Sequence, residues 1–258
     1  ARLFTLTEDQ EAIRDMAREF ARGEILPGAT ERDHNHRFPG KLVQMLGELG
    51  LLGVFVPEEY GGAGLDVFSY VLALEEICYA DAGVGVIMSV QNSLASYPIL
   101  AFGTEAQKQA YLPRMASGET IGCYALTEPN AGSDAGSQRT RWTKDGGEYL
   151  LNGTKMWITN SMYGNCLLVL AKTDLKAKPA HKGMSAFLCQ KNEGYEVSKK
   201  LKKLGYRSID SCELTLVDKQ VSSDALLGGE EGRGLQQVLG GLELGRINVA
   251  ARGAGIAE

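Results

Sequence analysis

The chain has 258 residues, of which 44% are hydrophobic and 23% are charged, and its formal net charge is −5. This length and composition allow a substantial core and more than one domain, whereas the negative charge argues against nucleic acid as the main partner. The 5 cysteines are scattered and lack a C-x-x-C spacing, which indicates buried reduced thiols rather than a disulfide framework or a zinc site.

Helices are predicted for the first third of the sequence. Thr7 is a candidate N-cap with Gln10 three residues later, which is the spacing of a capping box. Thr104 and Gln107 repeat that spacing before a later helix. Apolar residues recur at helical intervals after Thr7 until Pro27, which we expect to end the first segment. Further apolar stripes predict helices over residues 42–49, 71–78, 84–102 and 104–115.

From about residue 121 the apolar period changes from helical to alternating, which predicts strands. Asn152-Gly153 lies between two of these runs and is a strong signal for a two-residue hairpin turn. Short strands separated by turn residues favour a middle antiparallel β-barrel or sandwich domain. The predicted strands are residues 122–126, 148–151, 155–159, 166–172, 184–189, 195–198 and 212–217.

A glycine-rich segment, GGEEGRG at residues 228–234, marks the next boundary, because its glycines lack the strand–turn–helix setting of a phosphate-binding loop. Helical spacing then returns and continues to Glu258 without a stop signal, so we expect this helix to have nothing to pack against. The predicted fold class is a multidomain α+β protein. Its parts are an N-terminal all-α domain at 1–120, the middle β domain at 121–227 and the beginning of a C-terminal helical domain at 228–258.

Residues 121–161 carry the clearest functional signal. Alternation predicts that Lys155, Trp157 and Thr159 share one face of a strand, with Met156 and Ile158 on the other. The polar loop TEPNAGSD at 127–134 adds backbone N–H groups and short hydroxyl and carboxylate side chains. A wide aromatic surface with donors around it suits a flat heteroaromatic ring with polar edges. The alternative is an ordinary hairpin with a core tryptophan beside a capped loop.

The residues YALTEPNAGSD at 124–134 and NGTKMWITN at 152–160 resemble the paired signatures of the acyl-CoA dehydrogenase family. The resemblance runs from about Leu6 to Glu258. It implies an FAD enzyme that desaturates a short- or branched-chain acyl-CoA between its α and β carbons, in fatty acid or branched-chain amino acid catabolism. It also implies a C-terminal four-helix bundle, of which this sequence holds only the start.

The resemblance also implies roles for individual residues. Thr127 would bond the polar edge of the flavin, Trp157 would stack on the ring, and Thr159 would donate towards its N5 side. The full flavin set is Tyr124, Leu126, Thr127, Ser133, Trp157, Ile158 and Thr159. The acyl-CoA set is Ser133, Glu243, Leu244, Gly245 and Arg246, with chain length depending on residues around 84–100. Two simpler roles remain open: Thr127 and Ser133 as loop caps, and Glu243–Arg246 as an exposed ion pair worth under about 0.5 kcal/mol.

No catalytic base is assigned within the sequence. In most of the family the base is a glutamate near the C-terminal end of the bundle, and in a minority it stands at the position of Gly245, which has no proton-accepting group. Glu243 is two residues away, about 200° around the helix. We therefore expect the base beyond Glu258. We predict no metal site, because His34 and His36 have no further ligands near them in the sequence.

Three functions follow from these observations. The first is a dehydrogenase that passes electrons to an electron-transferring flavoprotein; the others are an acyl-CoA oxidase and a non-catalytic truncated paralogue that binds acyl-CoA or a protein partner. The resemblance implies a homo-oligomer, specifically a homotetramer, in the cytoplasm of a bacterium or the mitochondrial matrix of a eukaryote. We expect no membrane span and no export signal, because no apolar run approaches about 20 residues.

Overall fold

Helices occupy the chain up to residue 116, as the apolar stripes predict. The computed structural model describes residues 5–172 and 176–258. A π-helix, Val90–Ser96, joins the helices Ala82–Ser89 and Tyr97–Phe102 into one continuous helical run. The α-helices of this part are α1 (Glu8–Phe20), α2 (Ala29–His34), α3 (Gly40–Glu48), α4 (Val67–Ala80), α5 (Ala82–Ser89), α6 (Tyr97–Phe102) and α7 (Glu105–Ala116).

Both predicted capping boxes are confirmed. The Thr7 hydroxyl accepts a hydrogen bond from the Gln10 N–H at 3.2 Å, and the Gln10 side chain accepts one from the Thr7 N–H at 3.1 Å. Thr104 and Gln107 form the same reciprocal pair at the start of α7. Each box satisfies N–H groups that have no partner within the helix, which fixes where the helix begins.

The prediction that Pro27 ends the first helical segment is wrong. After α1 the chain continues through a π-helix (Ala21–Ile25) and a 3₁₀ turn (Leu26–Gly28) into α2. Pro27 lies at the start of the 3₁₀ turn, where its missing N–H removes no hydrogen bond that the turn needs. The proline therefore changes the type of helix without stopping it.

One helical run, Ala82–Phe102, has 21 residues and a mean hydropathy of 1.2, so by length and composition alone it could cross a membrane. The expectation that no apolar run approaches this length is thus corrected. In the described part of the chain, however, 78% of the relevant window is buried inside the protein, as in a core helix. Its Asn92 side chain accepts from Val54 N and donates to Leu51 O, which ties the run to the chain after α3.

Among the described residues, seven strands form one curled sheet in the middle of the chain. They are β1 (Gly122–Ala125), β2 (Arg141–Asp145), β3 (Glu148–Thr159), β4 (Cys166–Lys172), β5 (Met184–Gln190), β6 (Tyr195–Lys200) and β7 (Ser211–Ser222). The order is β1-β4-β2-β3-β7-β6, with β5 pairing β4. The predicted barrel or sandwich class is confirmed, but the sheet is mixed, because β4 pairs β1 and β2 in parallel.

The predicted hairpin at Asn152-Gly153 is wrong. β3 runs through both residues, and the hairpin turn lies earlier, at Gly146 and Gly147, where Asp145 pairs with Glu148 at the ends of β2 and β3. The β3–β7 register shifts between Leu151 and Gly153, which marks a β-bulge. A Cβ on Gly153 would lie 2.4 Å from Oγ1 of Thr140, so only glycine fits this close approach.

The last helix, α8 (Gly234–Ala257), packs on both domains, so the expectation that it has nothing to pack against is wrong. Its glycines allow close contact with α4: a Cβ on Gly255 would lie 2.2 Å from the carbonyl oxygen of Glu75. At the other end the Tyr124 hydroxyl of β1 donates to the Val238 carbonyl at 2.7 Å. The chain changes from helices to strands near residue 121 and returns to a helix at residue 234. The domain boundaries at 120 and 227 stay predictions.

All five cysteines are buried and unpaired, which confirms the prediction of reduced thiols. Burial raises the pKa of Cys78, Cys166 and Cys189 to about 12 in each case. Thiols of this kind are largely protonated and unreactive at neutral pH.

Candidate functional site

Trp157 stands out from the sheet. Its φ is 63°, in the left-handed region, and 53% of the residue is exposed. The register between β3 and β7 shifts again between Lys155 and Ile158, so Trp157 lies in a second bulge. A bulge re-aims the side chain of its extra residue. The indole therefore lies outside the sheet core with a free aromatic face.

The second bulge also overturns the predicted alternation. Lys155 is fully buried, while Trp157 is exposed, so the two do not share a face. Ile158 is 1% exposed and packs in the sheet core, so only its backbone is available to a ligand. Thr159 is half-buried at the end of β3.

The loop between β1 and β2, hereafter the 127–140 loop, lies against this part of β3. The Met156 N–H donates to the Thr127 carbonyl at 2.8 Å, which places Thr127 beside the residue before Trp157. Ser133 lies in the exposed part of the loop. Within the described part of the chain, the hydroxyls of Thr127, Ser133 and Thr159 make no hydrogen bond, and neither do the N–H groups of Gly132 and Ser133.

A buried ion pair anchors the 127–140 loop. Nζ of Lys155 lies 2.8 Å from Oε1 of Glu128, with side-chain exposures of 0% and 5%. Burial lowers the pKa of Lys155 to about 8, although the charge of Glu128 opposes this shift. Burial also raises the pKa of Glu128, but the positive charge and hydrogen bonds around it outweigh that effect and hold the pKa below its usual value.

A cavity of about 610 Å³ lies between the α5–π-helix run, α8 and the end of β3. It brings together three residues that the sequence assigns to flavin or thioester binding, namely Thr159, Gly245 and Arg246. The remaining lining residues are Val86, Ser89, Val90, Leu94, Leu242, Asn248, Val249 and Arg252. Among the described residues that line this cavity there is no carboxylate.

The spacing of Glu243 and Arg246 permits an intrahelical ion pair, but none is formed between these two described residues. Both side chains are exposed on α8, and Arg246 is left with a guanidinium that lies at the cavity without a protein partner within the described ranges. Within the predicted acyl-CoA segment Glu243–Arg246, Gly245 and Arg246 line the cavity, whereas Glu243 and Leu244 do not.

Two residues of the predicted flavin set, Tyr124 and Leu126, make contacts that support the fold. Tyr124 holds the Val238 carbonyl of α8 through its hydroxyl, and burial raises its pKa. Leu126 packs against the apolar cluster between the sheet and the helices. A separate cavity of about 570 Å³, between α7 and the ends of β5 and β7, contains none of the predicted residues.

Sequence reasoning missed Leu242, Val249 and Arg252, which line the cavity from α8. Leu242 and Val249 lie three or four positions from Gly245 and Arg246, and Arg252 lies three positions beyond Val249. Extending the helical face in both directions would therefore have found them. The burial of Lys155 carried no such local signal, because Glu128 is 27 residues away in the chain.

The donor set fits a flat ring with polar edges. Trp157 offers an aromatic face, and the uncommitted hydroxyls and N–H groups around it can meet ring heteroatoms or phosphate oxygens. The cavity beside Thr159 is mostly apolar and has a free guanidinium at its rim, which suits an apolar chain joined to an anionic carrier.

Comparison with known proteins agrees with this arrangement. The family model for the acyl-CoA dehydrogenase N-terminal domain matches residues 7–119, and that for the middle domain matches residues 123–218. An acyl-CoA dehydrogenase of Bacillus subtilis is 45% identical over 98% of the chain and 66% of its own length. The mitochondrial short-chain specific acyl-CoA dehydrogenase of Bos taurus is 44% identical over 98% of this chain and 61% of its own length. The chain thus spans slightly less than two thirds of these relatives.

Solved structures show the same similarity. Butyryl-CoA dehydrogenase from Megasphaera elsdenii superimposes with a TM-score of 0.94 at 39% identity, over 98% of this chain and 67% of its own. A chain in a structure of the electron transferring flavoprotein of Acidaminococcus fermentans superimposes with a TM-score of 0.95 at 44% identity, over 98% of this chain and 66% of its own. A glutaryl-CoA dehydrogenase from Mycobacterium smegmatis in complex with FADH2 superimposes with a TM-score of 0.89 at 34% identity, over 97% of this chain and 62% of its own.

Proposed function

The chain belongs to the acyl-CoA dehydrogenase family, and on that premise we propose that it forms the FAD- and thioester-binding part of an enzyme that desaturates a short-chain acyl-CoA. The observation that carries the proposal is the cavity shared by Thr159 of the flavin segment and Gly245 and Arg246 of the thioester segment. A hydride acceptor and its donor carbon must lie in contact, and this cavity is where two such ligands would meet.

The reaction removes a proton from the α carbon and a hydride from the β carbon of the thioester, which leaves the trans-2-enoyl-CoA. FAD, when bound, would supply the two-electron acceptor for this hydride. Trp157 would lie against the ring, and the hydroxyls of Thr127 and Thr159 would bond its polar edge. The apolar walls contributed by Val90 and Leu94 would hold the acyl chain and keep water away from it.

The α proton needs a carboxylate that the described part of the cavity lacks. Gly245 stands where a minority of the family carries its base, and Glu243 is exposed on another side of α8. We infer that the base is a glutamate beyond residue 258. Ser133 and Arg246 would then serve the CoA part of the substrate, since both are exposed and have uncommitted donors.

The names of the relatives support a short acyl chain, because they include short-chain specific and butyryl-CoA dehydrogenases. An electron-transferring flavoprotein is the proposed oxidant, because a chain similar to this one occurs in a structure of such a flavoprotein. The proposed assembly, a homotetramer, rests on the family resemblance alone. We propose a cytoplasmic location in a bacterium or a matrix location in a mitochondrion.

The test uses protein expressed from the complete gene. We expect it to bind FAD and to lose its visible flavin absorbance under anaerobic titration with butyryl-CoA, more readily than with a long-chain acyl-CoA. Absence of flavin, or a flavin that no acyl-CoA bleaches, would refute the proposal and favour a non-catalytic paralogue. Fast reoxidation of the reduced flavin by O₂ with product bound would identify an oxidase instead.

A further inference from the structure

We propose that Lys155 and Glu128 are positioning residues that hold the 127–140 loop in place against residues 157–159, and that FAD binding depends on this pair. The inference rests on the proposed function, since it concerns the same flavin-binding elements. Neither residue belongs to the set that would contact flavin or thioester, and both are withdrawn from solvent.

The lysine is attached to more groups than a single ion pair requires. Its Nζ donates to an acceptor at each end of the 127–140 loop and to a neighbouring strand. The four acceptors are Glu128 Oε1 at 2.8 Å, Gln138 Oε1 at 2.8 Å, the Leu170 carbonyl at 2.7 Å and the Leu126 carbonyl at 3.3 Å. One ammonium therefore joins the start of the loop, its end and β4.

Glu128 closes the loop from the other side. Its carboxylate accepts from the Arg139 N–H at 2.6 Å and from the Thr140 N–H at 3.0 Å. Residues near the two ends of the loop are thus fixed to each other through Glu128, which is also bonded to Lys155. A second lysine, Lys172, donates to the Gly136 carbonyl at 2.7 Å and supports the middle.

These bonds lie directly beside the predicted flavin contacts. Thr127 is the neighbour of Glu128 along the chain, and Trp157 is two residues from Lys155. The Met156 N–H bonds the Thr127 carbonyl between them. A shift of the Lys155–Glu128 pair would therefore change the separation of Thr127 and Trp157, which must meet the same ring from different elements.

Stability alone does not account for the pair. A buried ion pair gains little over well-packed apolar residues of similar volume, because desolvation of both charges offsets their attraction. The pair instead restricts the geometry of the loop. The three N–H bonds of the ammonium match three close acceptors, and the carboxylate accepts from two backbone N–H groups. That geometry is of use where a ligand needs groups from two elements at fixed places.

The test compares three variants with one control variant, all in protein expressed from the complete gene. The three are Lys155→Met, Glu128→Gln and the double variant that carries both substitutions. The control is Lys219→Met. Lys219 is the matched control, because it is 1% exposed on the same sheet and its Nζ bonds only the Glu193 carbonyl among described residues. The readouts are the Kd for FAD, thermal unfolding, and the rate of tryptic cleavage after Arg139 and Arg141, two sites at the end of the loop.

We expect Lys155→Met to weaken FAD binding by about tenfold or more, equivalent to about 1.4 kcal/mol, and to speed tryptic cleavage of the loop. Lys219→Met should lower the unfolding temperature while both other readouts stay at the wild-type level. In the double variant the charges balance again, so thermal stability should recover, whereas the loop bonds of Nζ are still missing and FAD binding should stay weak.

The proposal is overturned if the double variant regains wild-type FAD affinity, or if Lys155→Met and Lys219→Met change all three readouts alike. Should Lys155→Met not fold, Glu128→Gln decides, since it preserves shape and removes the charge. If the wild-type protein binds no FAD, the proposed function fails, and the cleavage rates still decide whether the pair holds the loop.

Discussion

The ammonium of Lys155 lies 2.8 Å from the carboxylate of Glu128 in a part of the sheet that solvent does not reach. The pair makes stability sensitive to acid. Because the pKa of Glu128 is lower in the folded protein than its usual 4.5, its contribution is present above about pH 4.5 and is lost as the pH falls through the folded value. Denaturant unfolding between pH 7 and pH 3 should show this loss.

The Glu128→Gln variant provides the control for the acid dependence. It should start from a lower free energy of unfolding at pH 7 and decline less steeply below pH 4.5, because the titrating group is gone. Parallel pH profiles for the two proteins would assign the acid sensitivity to other carboxylates.

A second prediction concerns the helical domain, where Arg32 and Asp81 form a buried ion pair at 3.0 Å. The other Asp81 oxygen caps α5 by accepting from the Gly83 N–H at 2.8 Å. Asp81→Ala leaves a buried guanidinium without its partner, so we expect a loss of about 3–5 kcal/mol in the free energy of unfolding. Asp15→Ala, which removes an exposed partner of Arg14, should cost far less, because solvent screens an exposed ion pair. Equal losses in urea unfolding would contradict the assignment.

Trp157 and Trp142 allow a matched comparison of the two tryptophans in the chain. Trp157 is 53% exposed and Trp142 is 3% exposed. Trp157→Ala should weaken FAD binding strongly with little change in unfolding, and Trp157→Phe should retain part of the affinity through the smaller ring. Trp142→Phe should instead lower stability and leave FAD binding near the wild-type value. Flavin titration and thermal unfolding of the three variants separate the roles, and a core role for Trp157 would reverse the pattern.

Tyr124→Phe tests whether its hydroxyl serves the fold or the flavin. The hydroxyl donates to the Val238 carbonyl of α8 at 2.7 Å, so its removal should lower the free energy of unfolding by about 1 kcal/mol. FAD affinity should stay within about twofold of the wild type. A marked drop in FAD affinity at unchanged stability would show that the hydroxyl contacts the flavin.

The last prediction addresses the cavity wall at Gly245. A Cβ there would lie 3.5 Å from Cδ2 of Leu94, an ordinary contact, so Gly245→Ala should fold and gain up to about 1 kcal/mol from helix propensity. The added methyl narrows the cavity, so KM should rise with acyl chain length. Gly253→Ala is the control, because among the described residues nothing beyond its chain neighbours and its own helix backbone lies within 4 Å of the added Cβ. It should be stabilised without any change in KM.

Local signals predicted a large part of the fold. The capping boxes at Thr7 and Thr104 fixed two helix starts, and β4 was predicted to the residue because Cys166–Ala171 is a continuous apolar run. Asn152-Gly153 failed as a hairpin signal because its geometry depends on distant groups. The Asn152 side chain bonds Asp218, and Gly153 leaves room for Thr140.

Three residues that the sequence assigns to flavin or thioester binding, Thr159, Gly245 and Arg246, line one cavity. The roles of the assigned residues stay predictions. The orientation of Trp157 was not predictable, since alternation assumes an unbroken strand and the bulge is visible only through pairing with β7. Lys155 was placed on the wrong face for the same reason.

Trp157 and Asn160 both have left-handed backbone angles, with φ of 63° and 66°. For a residue as large as tryptophan this conformation is unfavourable by about 1–3 kcal/mol, and the surrounding sheet must impose it. The strained segment is therefore shaped before any cofactor arrives. We therefore expect FAD to bind to a preformed site, at an association rate set by the encounter of protein and cofactor rather than by refolding of the strand.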